Sequence, residues 1–171
     1  MAVKGLKQTS GLITVSFSVS EDLPNTFKEA IVDMQLNPLD NEVFVVQAID
    51  MDPSPPDNLI GLNTACDSSL STVSRATVGG LGDTNVLAVG ERQIRSAGAA
   101  QNGVGFETVS SSSPSSLLDY MGIIATNDFA IQVEGRNNAN TMGVQGKLYG
   151  YRARADAAIY AALVQSEVLS S

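Results

Sequence analysis

Over residues 12–20, Ile13, Val15, Phe17 and Val19 alternate with Thr14, Ser16, Ser18 and Ser20. A period of two sustained over this length describes a strand with one apolar face and one hydroxyl-rich face. It commits this part of the chain to a sheet whose apolar side must be covered by another layer. After a turn at Leu23-Pro24-Asn25, residues 27–36 alternate again. Ala30, Val32, Met34 and Leu36 fall on one side, and Glu29, Asp33 and Gln35 mostly on the other, although helical periodicity also fits part of this stretch.

Turn chemistry punctuates the middle of the chain. Asn37-Pro38 and Asp40-Asn41 precede residues 43–49, whose run of Val43, Phe44, Val45 and Val46 reads as a strand buried on both faces for much of its length. It ends at Asp52-Pro53-Ser54-Pro55-Pro56, because proline cannot donate to a ladder. Residues 57–69 read as a long loop with Cys66 as a small packing residue. Residues 70–78 read as a half-exposed strand broken by Gly79-Gly80-Leu81-Gly82-Asp83, and residues 86–94 as another. An Ala, Gly and Asn loop at 97–103 leads to a short strand at 105–109 and then to the serine tract 110–116, read as an exposed loop or flap. The last third is a meander with strands at 120–125, 129–134 and 143–152. Asp156 is placed to cap a helix over Ala157–Leu169, whose apolar arc takes in Ile159, Ala162 and Leu163 and extends to Val168.

Eight or nine strands, one terminal helix and no internal repeat of fixed period define an all-β class. The expected architecture is an eight-stranded jelly-roll β-sandwich with a C-terminal α-helix. Its divisions are an N-terminal arm over 1–10, the sandwich over 11–154, and a helix or inter-subunit extension over 155–171.

A chain of 171 residues is one domain by length, large enough to bury a core without a disulfide or a structural metal. It contains no His, no Trp and one Cys, which excludes Ser-His-Asp hydrolysis, Cys-His nucleophiles and His-ligated zinc within this chain. Ten Lys and Arg against 18 Asp and Glu give a net charge of −8, so phosphate backbones repel the chain unless its cations cluster. No signal-peptide core is visible near the start and no apolar run reaches transmembrane length. A soluble product made or assembled in the cytoplasm is therefore expected.

Few residues suggest chemistry. Asp50, Asp52 and Asp57 offer carboxylate oxygens of the kind calcium takes, but Pro53, Pro55 and Pro56 stand where a calcium loop needs a glycine turn, so a solvated strand end is the plainer reading. Paired carboxylates could serve glycoside hydrolysis, yet only nine Phe and Tyr are present to line a sugar cleft. Gly79-Gly80-Leu81-Gly82 lacks the Lys-Ser/Thr of a phosphate loop and reads as a turn. Tyr149, Tyr151, Arg152 and Arg154 form one basic and aromatic cluster, but alternation splits tyrosines from arginines. Tyrosines under the helix and arginines paired to acids fit better than a nucleic-acid platform. No catalytic residue, cofactor or small-molecule substrate is expected.

The layout resembles a single jelly-roll capsid protein of a small tailless virus. The resemblance rests on the short arm bearing Lys4 and Lys7, the Ser/Thr-decorated first strand and the run Leu36-Asn37-Pro38-Leu39-Asp40-Asn41-Glu42-Val43-Phe44-Val45-Val46. Long Ser/Gly/Asn connections and the close from Tyr149 through Asp156 to Val164 complete it. It implies a virion subunit, assembled in the host cytoplasm, whose partners are copies of itself and other capsid subunits. Lys4, Lys7, Arg152, Arg154, Ile159 and Leu163 are then the expected assembly residues. Two lysines are not the strongly basic arm of coat proteins that bind their genome directly. The resemblance therefore implies a genome neutralised by another protein or lying behind an internal membrane. A β-sandwich receptor- or carbohydrate-binding module, such as a virion spike or tail component, is the alternative, with a glycan-active enzyme as a further rival.

Overall fold

A computed structural model describes residues 4–96, 104–109 and 118–169. These form ten strands and a terminal helix. The strands are β1 (Leu6–Gln8), β2 (Ile13–Ser20), β3 (Lys28–Asp33), β4 (Glu42–Pro53), β5 (Thr64–Ser71), β6 (Val86–Arg95), β7 (Val104–Val109), β8 (Gly122–Ile124), β9 (Asp128–Arg136) and β10 (Gly143–Ala155). Helix α1 is Ala157–Leu169, and a single 3₁₀ turn, Pro38–Asp40, precedes β4.

Two antiparallel sheets face each other. The first, sheet A, runs β2–β10–β4–β8, with β1 continuing past β2 along the same edge of β10, so that Leu6 pairs Ala155 and Ser20 pairs Gly143. The second, sheet B, runs β3–β9–β5–β6–β7. The inner faces close over Phe17, Val19, Phe44, Val46, Ile49, Leu70, Ile124, Phe129, Ile131, Val133, Val144 and Leu148, with Phe17 and Phe129 meeting edge to face at 6.2 Å. The chain is thus an all-β sandwich with a C-terminal helix.

The alternation of β2 holds residue by residue, with Phe17 and Val19 buried and all four hydroxyl residues outward. Met34 and Leu36 are buried with Ala30 and Val32 packed beside them, as their period required, while β3 itself is the shorter Lys28–Asp33. In β4, Val43 to Val46 are buried on both faces. Tyr149 pairs Ala48 and Gly150 pairs Val46, which leaves Gln47 as the extra residue of a β-bulge. The bulge shifts the pleat by one: Phe44 and Val46 point inward before it, Ile49 and Met51 after it. Asp50 and Asp52 are thereby turned outward, both exposed.

Three expectations change. The strand expected at 70–78 begins six residues earlier, as β5 occupies Thr64–Ser71, and only Leu70 and Ser71 of the expected stretch are strand. Its outer face carries Ser69 and Ser71, yet both are buried, because the 72–85 connection folds back over sheet B. Ser69 Oγ donates to Gln132 Oε1 at 2.7 Å and accepts the Gly79 N–H at 2.9 Å, while Gln132 Nε2 donates to Ser71 Oγ and Glu29 Oε2 at 2.9 Å each. A strand whose polar face is buried under a loop has the composition of a loop, which is why its alternation is hidden. Second, the N-terminal segment is not a free arm from residue 6 onward, because Leu6–Gln8 is hydrogen-bonded to β10. Third, the strands number ten rather than eight or nine among the described residues. The 97–103 loop and the serine tract lie outside the described residues. Among the described residues, no helix is long and apolar enough to cross a membrane.

Candidate functional site

The outer face of sheet A gathers about half of the residues that the sequence singles out, and it divides into two halves. On the first, Val43 and Val45 of β4, Tyr151, Ala153 and Ala155 of β10, Leu6 of β1 and Ile123 of β8 form a second apolar cluster under α1. The helix starts where the sequence places it. Asp156 Oδ1 accepts the Ile159 N–H at 2.9 Å as an N-cap, and its carbonyl accepts from Tyr160 N at 2.9 Å. The helix meets the sheet through Ile159, Tyr160, Leu163 and Val164, with Glu167 one turn further along the same stripe. Ala162 and Val168, expected on the apolar arc, are exposed instead. The contacting stripe is rotated by about a quarter of a turn from the expected one, because it follows Tyr160 and Val164.

Glu167 is buried although charged. Its Oε1 accepts the Ala125 N–H and its Oε2 the Thr126 N–H, both at 2.9 Å. One carboxylate thus satisfies two backbone donors between β8 and β9 and pins the helix to them. At the other end, the Gly5 carbonyl accepts the Asp156 N–H at 3.0 Å. A β-carbon on Gly5 would stand 2.1 Å from Ile159 Cδ1, and its φ of +88° also requires glycine. Ile159 and Leu163 are therefore brought onto this chain's own sheet.

The second half is uncovered. Ser16 and Ser18 of β2, Asp50 and Asp52 of β4, and Gln145, Lys147 and Tyr149 of β10 line a shallow concavity of about 780 Å³. Lys147 lies opposite Asp50 and Ser16 in register. Gln145 Nε2 donates to Asp52 Oδ2 at 3.2 Å, and Arg92 approaches Asp52 Oδ1 at 3.1 Å. The Tyr149 phenol is pushed above its ordinary range by desolvation and by its hydrogen bond to the Asp50 carboxylate. Tyr149 thus belongs to the open half, and of the two tyrosines on this face only Tyr151 packs under the helix.

The other candidates separate. Asp57 lies beyond β4, where it accepts the Ala139 and Asn140 N–H groups at 2.8 Å each. The amide of Asn140 also donates to it, at 3.1 and 3.2 Å. These bonds, the Asn140 backbone first, hold its carboxyl below the ordinary value of 3.8. Asp50, Asp52 and Asp57 do not converge, and among the described residues no group of three His, Cys, Asp or Glu could hold a metal. Arg152 and Arg154 stand on the face opposite Tyr151. Arg152 binds Glu42 at 3.1 Å and the carbonyls of Met34 and Gln35 at 3.0 and 3.1 Å, stapling the β3–β4 connection to β10. Arg154 pairs with Asp40 at 2.9 Å. Lys4 and Lys7 are exposed, and Lys7 sits beside Arg154 in register. Cys66 is buried in the core, and burial pushes its thiol up to about 12.

Sequence reasoning missed two buried carboxylates, Glu167 and Glu21. Glu21 lies at the end of β2 and accepts the N–H groups of Thr26, Gly135 and Met142 at 3.0, 2.6 and 2.7 Å, joining the β2–β3 and β9–β10 turns. Glu167 had a readable signal, a charge eight residues from Ile159 and therefore on the helix face that the apolar residues define. Glu21 had none, because a Glu in a turn is ordinarily solvated.

Fold and surface together define an antiparallel β-sandwich with one helix-capped and one open half on the same sheet. In comparison with known proteins, no family model matches the chain and no curated protein is significantly similar to it.

Proposed function

We propose that the sandwich is a jelly roll and that the chain is a self-assembling structural subunit of a viral shell, acting through contacts with copies of itself. The observation that carries this reading is the pairing order. With β1 and β7 set aside as additions, the remaining eight strands pair first with last (β2–β10), second with seventh (β3–β9), third with sixth (β4–β8) and fourth with fifth (β5–β6). That is one long antiparallel hairpin rolled into two sheets, the connectivity of a jelly roll. Such a rigid frame leaves its turns and outer faces available for contacts between subunits.

The electrostatics support a role in which another component meets the genome. Lys28, Arg75, Arg92, Arg136, Arg152 and Arg154 are all engaged by acids of the same chain, at 2.6 to 3.2 Å. Lys4 and Lys7, with Arg154 beside them, form the exposed rim offered to a neighbour. Arg152, Ile159 and Leu163 act within the subunit by holding that rim in place. Size-exclusion chromatography with light scattering, followed by negative-stain microscopy, tests the reading. Rings, sheets or shells are expected, and a stable monomer at every concentration would overturn it.

The open concavity favours one second reading, a carbohydrate-binding module. Tyr149 beside Asp50, Asp52, Gln145 and Lys147 combines an aromatic ring with donors and acceptors. That reading requires a soluble monomer or compact trimer that binds glycans saturably and loses binding in Tyr149→Ala.

A further inference from the structure

We propose that two copies of this chain join edge to edge through β2, antiparallel across a two-fold axis at Ser16, so that sheet A continues from one subunit into the next. This rests on the self-assembly reading and names the surface that would carry one of its contacts.

Among the described residues, β2 pairs with β10 alone, so its other edge presents unpaired N–H and C=O groups along eight residues. Folded proteins usually protect such an edge with charge, proline, a bulge or brevity. The other edges follow that pattern. β3 carries Lys28, Glu29 and Asp33, β7 carries Glu107, β1 carries Lys7, and β8 is only three residues long. β2, of sequence ITVSFSVS, has none of these devices and no register shift against β10.

A second observation points to what covers it. The inward side chains of β2 are not equally buried: Phe17 and Val19 are 5% and 7% exposed, whereas Ile13 and Val15, at the opposite end next to Leu12 at 67%, pack against the core but are only partly buried. A strand added to this edge must cover Ile13 and Val15 and keep hydroxyls outward. Directly opposed residues share a face, so outward residues must meet outward residues and the register is fixed in steps of two. With Ser16 opposite Ser16 of the partner copy, Ile13 falls opposite Val19 and Val15 opposite Phe17, each partly buried residue meeting a large apolar one. On the outer face Thr14 falls opposite Ser18, completing a hydroxyl ladder. The strand supplies its own complement, which a receptor or peptide of unrelated sequence would have to imitate. The contact is smaller than a standard stable interface, so it serves as one contact in a larger assembly.

Cysteine cross-linking of the full chain tests this, because the native Cys66 is buried and silent. In Ser16→Cys the two thiols lie across the dyad at disulfide distance, so mild oxidation is expected to give covalent dimers. In Thr14→Cys alone, the equivalent residues are four positions apart, about 13 Å, and roughly tenfold less dimer is expected; mixing Thr14→Cys with Ser18→Cys restores it. Assemblies in which Ser16→Cys does not cross-link, or a Thr14→Cys that cross-links equally well, would overturn the pairing while leaving assembly intact. Cross-linked Ser16→Cys dimers without larger particles would uphold the pairing and overturn the shell. Absence of both dimer and particle would overturn both.

Discussion

The outer face of sheet A carries two surfaces built on the same strands. On one side of the Gln47 bulge, β4 and β10 send Val43, Val45, Tyr151, Ala153 and Ala155 outward beneath α1; on the other they send Asp50, Asp52, Gln145, Lys147 and Tyr149 into the open concavity. Backbone pairing is continuous through both, so the difference lies in side chains and in the single residue that resets the pleat. The covered half belongs to the stability of the chain itself. The open half, with the unprotected β2 edge beside it, is the surface free to meet something else.

That contrast can be broken most forcefully by removing residues 156–171. Val43, Val45 and Ala153 would face water, and a loss of more than about 4 kcal/mol, with dye binding and no cooperative thermal transition, is expected. A truncated chain that melts like the whole one would show that the helix is not part of the folded core. Glu167→Ala is next, leaving the Ala125 and Thr126 N–H groups without their acceptor, at a cost of about 3 kcal/mol in urea unfolding. Glu167→Gln, which keeps one acceptor, should fall between it and the native chain.

Beneath the open half, Gly146→Ala should cost about 1–3 kcal/mol, because its β-carbon would stand 2.0 Å from the Asp50 carbonyl oxygen and 2.6 Å from the Phe17 ring. Cys66, in the core below the same half, gives an alkaline signature. Its folded pKa of about 12 lies above the ordinary 9.0, so the folded chain keeps a proton that the unfolded chain releases. The stabilisation is complete below pH 9 and is lost as pH rises toward 12, with a slope of up to about 1.4 kcal/mol per pH unit that Cys66→Ala should remove. On the open surface itself, Lys147→Ala should change stability by less than about 0.5 kcal/mol.

How far the sequence carried depended on where each side chain's partner lay. β2, with one wet and one dry face, was visible in its own alternation, β9 in the spacing of Phe129, Ile131 and Val133 although both its faces are buried, and α1 in its capping Asp156. The β4 run was readable as doubly buried because Val43 to Val46 offer no polar face at all. β5 was misplaced because the partners of Ser69 and Ser71 are Gln132 and the 72–85 connection, distant in sequence and silent in local pattern. The surface obeyed the same rule. The split between Tyr151 and the arginines came from alternation, whereas the anchoring role of Glu167, and that of Glu21 toward Gly135 and Met142, depend on backbone amides more than 40 residues away, and Asp57 turned from a metal candidate into a turn anchor for the same reason.

The central claim, that the chain assembles with copies of itself and that the β2 edge carries one of the contacts, is tested most directly by sedimentation velocity of the purified full chain across a concentration series. Growth with concentration into discrete, closed species is the expected result, with Ser16→Lys shifting the distribution toward monomer. A single monomeric boundary at all concentrations, unchanged by Ser16→Lys, would contradict the account.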